Sequence, residues 1–165
     1  MEVWDAYRKD GSLAGIDLIR GEPIPGGLFH IVCEILVRHT DGSYLLMQRD
    51  FNKKGYPGMF EASAGGSILK GETPVCGAVR ELKEETGITA DNLIQIYRII
   101  DDYNRNTIYY GFLCVTNCDK NSVTLQEGET ISYIWLYEDE FLRFIDTAEY
   151  IKEHKNRLNL YLSKN

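Results

Sequence analysis

The sequence predicts an α+β domain, and three observations carry the prediction. Short apolar, β-branched runs separated by Asp-Gly turns and Gly/Pro loops occupy most of the chain. One strongly patterned helix interrupts them between residues 73 and 87. Two further helical stretches close the sequence. At 165 residues the chain has the length of one domain, for which roughly 100–200 residues is usual, and it can bury a core without a disulfide or metal staple.

Val3 to Arg8 and Ser12 to Ile19 flank Asp10-Gly11, a pair that favours a tight hairpin turn. The Gly- and Pro-rich segment Gly21 to Gly27 reads as a loop, so residues 1–27 form a hairpin-and-loop extension of a single domain spanning 1–165. Phe29 to Arg38 and Tyr44 to Arg49 read as strands joined through Asp41-Gly42, and Asn52 to Gly58 as a polar loop leading into Met59 to Ala64. Thr73 can cap the central helix, and Pro74 suits its first position, where a missing N–H goes unused. Val75, Ala78, Val79 and Leu82 supply an apolar stripe, and Gly87 stops the helix in a left-handed conformation. Leu93 to Ile100, Ile108 to Val115 and Ile131 to Leu136 are predicted strands. Glu138 to Ile145 and Ala148 to Leu162 are predicted helices, the second packing through Ile151, Leu158 and Leu162.

Net charge is −7, from 18 Lys and Arg against 25 Asp and Glu, which argues against nucleic-acid polymers and anionic membranes as partners. No apolar run approaches the ~18 residues of a membrane span. The acidic, aromatic N-terminus lacks the basic and apolar regions of a signal peptide. Cys33, Cys76, Cys114 and Cys118 form no CxxC pair and read as free thiols of a reducing compartment, so the chain reads as cytoplasmic.

Chemistry concentrates on the central helix. Glu81, Glu84 and Glu85 stand at i, i+3 and i+4, so a helix brings them to one side, opposite the apolar stripe. Glutamate runs on helices are most often solvated faces, but here a glycine-bracketed loop, Gly65-Gly66 to Gly71-Glu72, leads straight into them. Arg80 can pair with Glu84, and Lys83 lies on another face. Mg²⁺ or Mn²⁺ would offset such a cluster more fully, since hard cations favour carboxylate oxygens and leave sites for water and phosphate.

The stretch GGSILKGETPVCGAVRELKEETGI resembles the signature box of the Nudix hydrolases. Gly66, Glu72, Arg80, Glu81, Leu82, Glu84, Glu85, Gly87 and Ile88 occupy every fixed position of that box. The resemblance implies an α/β/α sandwich around a mixed sheet, and hydrolysis of a diphosphate linked to another small moiety, commonly a nucleoside diphosphate derivative. It implies Glu81 and Glu85 as principal ligands of Mg²⁺ (or Mn²⁺), and Glu84 as a further ligand or water-activating carboxylate. Arg80 would orient the glutamates, Glu72 would support the loop–helix junction, and the carbonyl of Gly65 or Gly66 would add a metal contact. Many members add a glutamate six residues before a late tryptophan. Glu129 holds that place before Trp135, where it reads either as a site residue or as an acidic turn residue. Arg49, ending LLMQR, reads either as a phosphate contact or as a strand-end surface charge. Members are often homodimers.

WDAYRKDG, RGEPIPGGLFH, LLMQR and KKGYPGMF further resemble the isopentenyl-diphosphate isomerase branch of the superfamily. His30 matches the histidine that opens the core strand there, and reads either as a ligand or as a hydrogen-bonded core residue. Gly65 stands where that branch has its catalytic Cys, and Ser67 where it has a metal-binding His. Without that thiol an isomerase lacks an evident acid–base pair, so hydrolysis is the expectation. The rival readings are an isomerase-like enzyme and a catalytically silent ligand-binding module.

Overall fold

The computed structural model describes residues 1–164, and its elements run in chain order as follows. A hairpin of β1 (Val3–Tyr7) and β2 (Leu13–Ile19) precedes β3 (His30–His39), β4 (Ser43–Arg49), β5 (Phe60–Glu61) and β6 (Ala64–Ser67). Then come α1 (Pro74–Thr86), β7 (Ile94–Asp101), β8 (Thr107–Thr116), β9 (Thr130–Tyr137), α2 (Glu138–Phe144) and α3 (Lys152–Leu162). Most strands lie within a residue or so of their predicted limits; the stretch Met59 to Ala64 instead holds only the short β5, and β6 begins where it ends.

Alternation along the central strands decides how these elements stack. Ile31, Cys33, Ile35 and Val37 of β3, with Leu45 and Met47 of β4, join one core with Ala78 and Leu82 of α1. Their neighbours Leu36, Tyr44 and Leu46 join a second core with Phe141, Ile145 and Leu158. A sheet apolar on both faces must be covered on both, so α1 takes one face and α2 and α3 the other. The α/β/α sandwich follows, around a mixed sheet ordered β5-β4-β3-β8-β7, with β6 beside β3 and β9 beside β4. Among the described strand pairs only β3 and β8 run parallel, in register from His30↔Thr107 to His39↔Thr116. The hairpin is a separate two-stranded sheet whose Trp4, Ala6 and Leu18 form a small core, tied to the start of β3 through Tyr7 and Phe29.

One departure from regular pairing places the site. β3 and β4 pair only at Val37↔Leu45 and Arg38↔Tyr44, then separate. The buried Ser63 hydroxyl stitches the fork, accepting from Val37 N at 2.8 Å and donating to the Leu45 carbonyl at 2.7 Å. Beyond it β6 pairs with β3, setting Gly65 opposite Glu34 and Gly66 opposite Cys33.

Two expectations need correction. The last helix begins at Lys152 rather than Ala148, because the chain before it hydrogen-bonds β5: Phe60 N donates to Glu149 O and Ile151 N to Phe60 O. Val75 does not share the apolar stripe of α1; it is exposed, and Gly77, Ala78, Leu82 and Thr86 form the buried face against β3 and β6.

A buried ion pair fastens α3 to the sheet. Glu34, 6% exposed, receives Arg157 Nε at 2.8 Å and a second Arg157 contact, and Tyr97 Oη donates to it at 2.5 Å. Tyr97 reaches it by crossing Gly111, where any Cβ would stand 2.2 Å from the ring. Burial alone would raise the Glu34 carboxyl, but His154, Arg157 and Tyr97 together hold it below its ordinary value of 4.5. Removing one partner strands a buried charge, so Glu34→Ala should cost about 3–5 kcal/mol in urea unfolding at pH 7, whereas Glu34→Leu with Arg157→Met should cost far less. A depressed carboxyl stabilises above its unfolded value and loses that contribution in acid. The deficit of Glu34→Ala should therefore shrink as pH falls below about 4.5.

Candidate active site

The cap geometry of α1 fixes where its glutamates point. Thr73 Oγ1 accepts from Cys76 N at 3.2 Å, Pro74 fills the first turn, and Gly87 closes the helix at φ 74°. Between these stops Glu81 and Glu85 face β6, while Glu84 is half exposed. The predicted triad is thus split, with two carboxylates inward and one toward solvent.

Arg80 organises the outer part of this group. It donates to Glu72 at 2.7 and 2.9 Å, to Glu81 at 2.8 Å, to Glu84 at 3.2 Å and to the Ser67 carbonyl at 3.2 Å. Glu72 in turn accepts from Leu69 N at 3.0 Å, which anchors the loop before the helix. The inner part rests on glycine. A Cβ at Gly66 would lie 2.4 Å from the Glu81 carboxylate, and one at Gly65 would lie 2.7 Å from the Cys33 carbonyl. Gly65 N–H donates to Glu85 Oε2 at 2.9 Å.

These groups line a cavity of about 410 Å³ that also takes in Glu129, Arg49, Lys53, Glu2 and Arg20. Glu129 is ion-paired to Lys53, and Arg49 donates to Glu61 at 2.7 Å and to Gly55 O at 3.0 Å. Arg49 and Glu129 are therefore cavity residues. His30 is not: it stacks on Trp4 at 4.6 Å, contacts Thr107 Oγ1 at 3.3 Å, and lines an adjoining cavity behind Gly65 and Gly66. Burial pushes its imidazole pKa down, so the ring is neutral near pH 7. Gly87 lies at the far end of α1.

Sequence reasoning missed Glu61, Lys53, Glu2 and Arg20. Lys53 meets Glu129 across 76 residues of chain, and Arg20 Nη1 bonds Glu2 at 2.7 Å across the hairpin. No local spacing signals either pair.

Electrostatics indicate what the cavity lacks. Burial, above all, and then the nearby carboxylates Glu61, Glu81 and Glu129 push Glu85 up to about 8, with only the Gly65 amide opposing. Burial also raises Glu81, despite Arg80. Among the described residues no three His, Cys, Asp or Glu side chains close into a ready-made cage. Paired inward carboxylates with open space beside them suit Mg²⁺ or Mn²⁺, which keep waters and take phosphate oxygens, better than a cation needing a full protein cage.

The NUDIX domain family matches residues 28–156. A chain described as an uncharacterized Nudix hydrolase of Listeria innocua is 40% identical, over 92% of this chain and 89% of that one. An isopentenyl-diphosphate Delta-isomerase of Corynebacterium diphtheriae is 26% identical over 73% of this chain and 70% of its own, in keeping with the branch resemblance. Among solved structures, DR0079 of Deinococcus radiodurans superposes with a TM-score of 0.77, covering 97% of this chain and 99% of that one at 17% identity. The acidic cavity thus lies on a known scaffold, and the chain belongs to the Nudix hydrolase family.

Proposed function

We propose that the chain hydrolyses a diphosphate linkage in a small molecule, with Mg²⁺ or Mn²⁺ held by Glu81 and Glu85. The observation that carries this reading is the buried, under-neutralised Glu85 beside Glu81 on the wall of an open cavity that also presents Arg49, Lys53 and Arg20. A cation held by these carboxylates would offset phosphate charge and lower the pKa of a bound water. The chain's own residues do the positioning. Arg80 fixes the Glu81 carboxylate, the Gly65 amide fixes Glu85, and Arg49 at the end of β4 and Lys53 in the loop after it line the cavity that would receive the phosphates. Glu84, solvent-facing and paired with Arg80, would serve as a further ligand or as the water-activating carboxylate. We read residues 1–165 as one such domain, working in the cytoplasm; among the described residues no helix is long and apolar enough to cross a membrane.

Isomerisation finds less support. A side chain at Gly65 would collide with β3, and the nearby Cys33 thiol is raised to about 12, chiefly by burial, while donating to Gly66 O at 3.5 Å. Neither position supplies a reactive thiolate. With isopentenyl diphosphate and Mg²⁺, proton NMR should show no dimethylallyl diphosphate; its formation without phosphate release would overturn the hydrolase reading.

Phosphate or pyrophosphate release should be measured over nucleotide sugars, dinucleotides, coenzyme A and isoprenoid diphosphates. On the best substrate Glu81→Gln and Glu85→Gln should each lose about 10²-fold or more in kcat. Wild-type rates in both variants would refute the metal assignment.

Stability gives a check without turnover. A carboxyl whose folded pKa is raised from 4.5 to about 8 destabilises the fold progressively as pH rises through that window. In chelator, Glu85→Gln should match wild type near pH 4.5 and melt higher at pH 8, by at least the roughly 2–4 °C that ~1 kcal/mol represents at this size. Adding Mg²⁺ at pH 8 should raise the wild-type Tm and leave that of Glu85→Gln unmoved.

A further inference from the structure

The β1–β2 hairpin precedes the segment that matches the NUDIX family, which begins at residue 28, yet it grips the loop that leads into α1. Lys70 N donates to the Val3 carbonyl at 3.0 Å, and Gly71 N donates to Asp5 Oδ2 at 2.7 Å. Leu69 packs on the small hairpin core of Trp4, Ala6 and Leu18. We propose that the hairpin is a working part of the carboxylate site, with Asp5 as a positioning residue: by holding Gly71 it sets the loop that seats Arg80 and Glu81. The use of Glu81 for metal rests on the hydrolase reading; the clamp itself does not.

The hairpin carries a mark of this role. Asp5 and Asp17 stand directly opposite each other across its two strands. Like charges so paired destabilise a sheet, so these two cost the hairpin stability on its own. The loop offsets both, because the Gly71 amide meets Asp5 and the Lys70 ammonium meets Asp17 at 2.6 Å. The Lys70–Asp17 pair is about half exposed and holds little by itself. The bond to Asp5 is charge-assisted and fixes a backbone group, and it falls on Gly71, where the chain turns at φ 83°.

From Gly71 the contacts run without a gap to Glu81. Leu69 and Glu72 close the turn around Gly71, with Glu72 N donating to Leu69 O and Leu69 N to Glu72 Oε2, each at 3.0 Å. Glu72 accepts from Arg80 Nε and Nη2, and Arg80 Nη1 donates to Glu81 at 2.8 Å. Arg80 also donates to the Ser67 carbonyl, so the loop holds the guanidinium from both of its ends. A loop displaced at Gly71 carries Glu72 with it, and Arg80 then cannot meet Glu72 and Glu81 together. The hairpin reaches the cavity directly as well, through Glu2 and Arg20 on its wall.

NMR tests the clamp. In chelator, solvent exchange of the Arg80 Nε–H, assigned by its loss in Arg80→Lys, should be about five-fold or more faster in Asp5→Ala than in wild type. Asp5→Asn keeps an acceptor oxygen and should stay within about two-fold of wild type. The Arg157 Nε–H, bound to Glu34 on the other side of the sheet, should not change in either variant, which separates a displaced loop from a weakened fold. Mn²⁺ affinity, measured by electron paramagnetic resonance, should fall about five-fold in Asp5→Ala, with kcat lowered and KM held. Unchanged Arg80 exchange or Mn²⁺ affinity in Asp5→Ala, equal acceleration of Arg80 and Arg157, or failure of Asp5→Asn to restore wild-type behaviour would overturn the assignment. Wild type alone gives the reciprocal reading, since a cation that gains from the clamp must also tighten it. Mg²⁺ should slow exchange of the Gly71 amide by about three-fold or more, and no slowing in protein that binds the ion would refute the clamp even if Asp5→Ala does not fold. If wild type binds no Mn²⁺, the metal reading fails, and the Arg80 comparison in chelator still decides the clamp.

Discussion

Everything at the site depends on how closely three backbones approach at Gly65 and Gly66. The space that a side chain at 66 would fill holds the Glu81 carboxylate, and the space at 65 holds the β3 backbone. Because nothing intervenes, α1 can lay its glutamates on β6, and the Gly65 amide can donate directly to Glu85. That strand lies beside β3 only because β3 and β4 separate, and the separation is tolerable only because Ser63 satisfies the backbone groups it would otherwise orphan.

Charge is arranged in two grades of completeness. On the far side of the sheet, Glu34 is enclosed by Arg157, Tyr97 and His154, so it remains ionised although buried. On the α1 side, Arg80 is shared among Glu72, Glu81 and Glu84, while Glu85 receives a single amide. The first arrangement is finished within the chain and holds α3 in place. The second is left short of positive charge where the cavity opens. Like-charge crowding of this kind raises carboxyl pKa values and lowers stability, a cost expected where function sets the residues. The net charge of −7 therefore does not exclude an anionic small molecule. On the proposed reading, a divalent cation would be the condition for binding one.

The sequence disclosed what is local and periodic. Caps at Thr73 and Gly87, the apolar runs of β3 and β4, and the helical spacing of the glutamates were legible, because each is set by neighbours within one turn or one strand, but not that Glu81 and Glu85 turn inward while Glu84 faces solvent. Boundaries failed where distant chain competes for backbone hydrogen bonds, as at Glu149 to Ile151, which pair with Phe60 instead of starting a helix. Val75 failed because periodicity gives a stripe but not where the covering layer ends. Glu61, Lys53, Glu2 and Arg20 were invisible for the same reason, since only the fold gathers them. Gly111 carried a faint signal as a glycine inside an aromatic strand, where it marks the crossing of Tyr97.

The relation to isomerases can be argued from the same geometry. The chain shares that branch's N-terminal segments and 26% identity with one of its members, yet the position that would bear the catalytic thiol has no room for a Cβ. Replacing glycine there would require β6 to move away from β3, and Gly65 is also the amide that holds Glu85. A thiol at 65 and the present seat of Glu85 are thus alternatives rather than additions. The polar wall of Glu34, His154 and Arg157 points the same way, since an enzyme moving a double bond in a hydrocarbon gains nothing by facing it with paired ions. The absence of room for a thiol at 65 and the presence of Glu81 and Glu85 beside it accord with the proposed chemistry at phosphorus rather than at carbon.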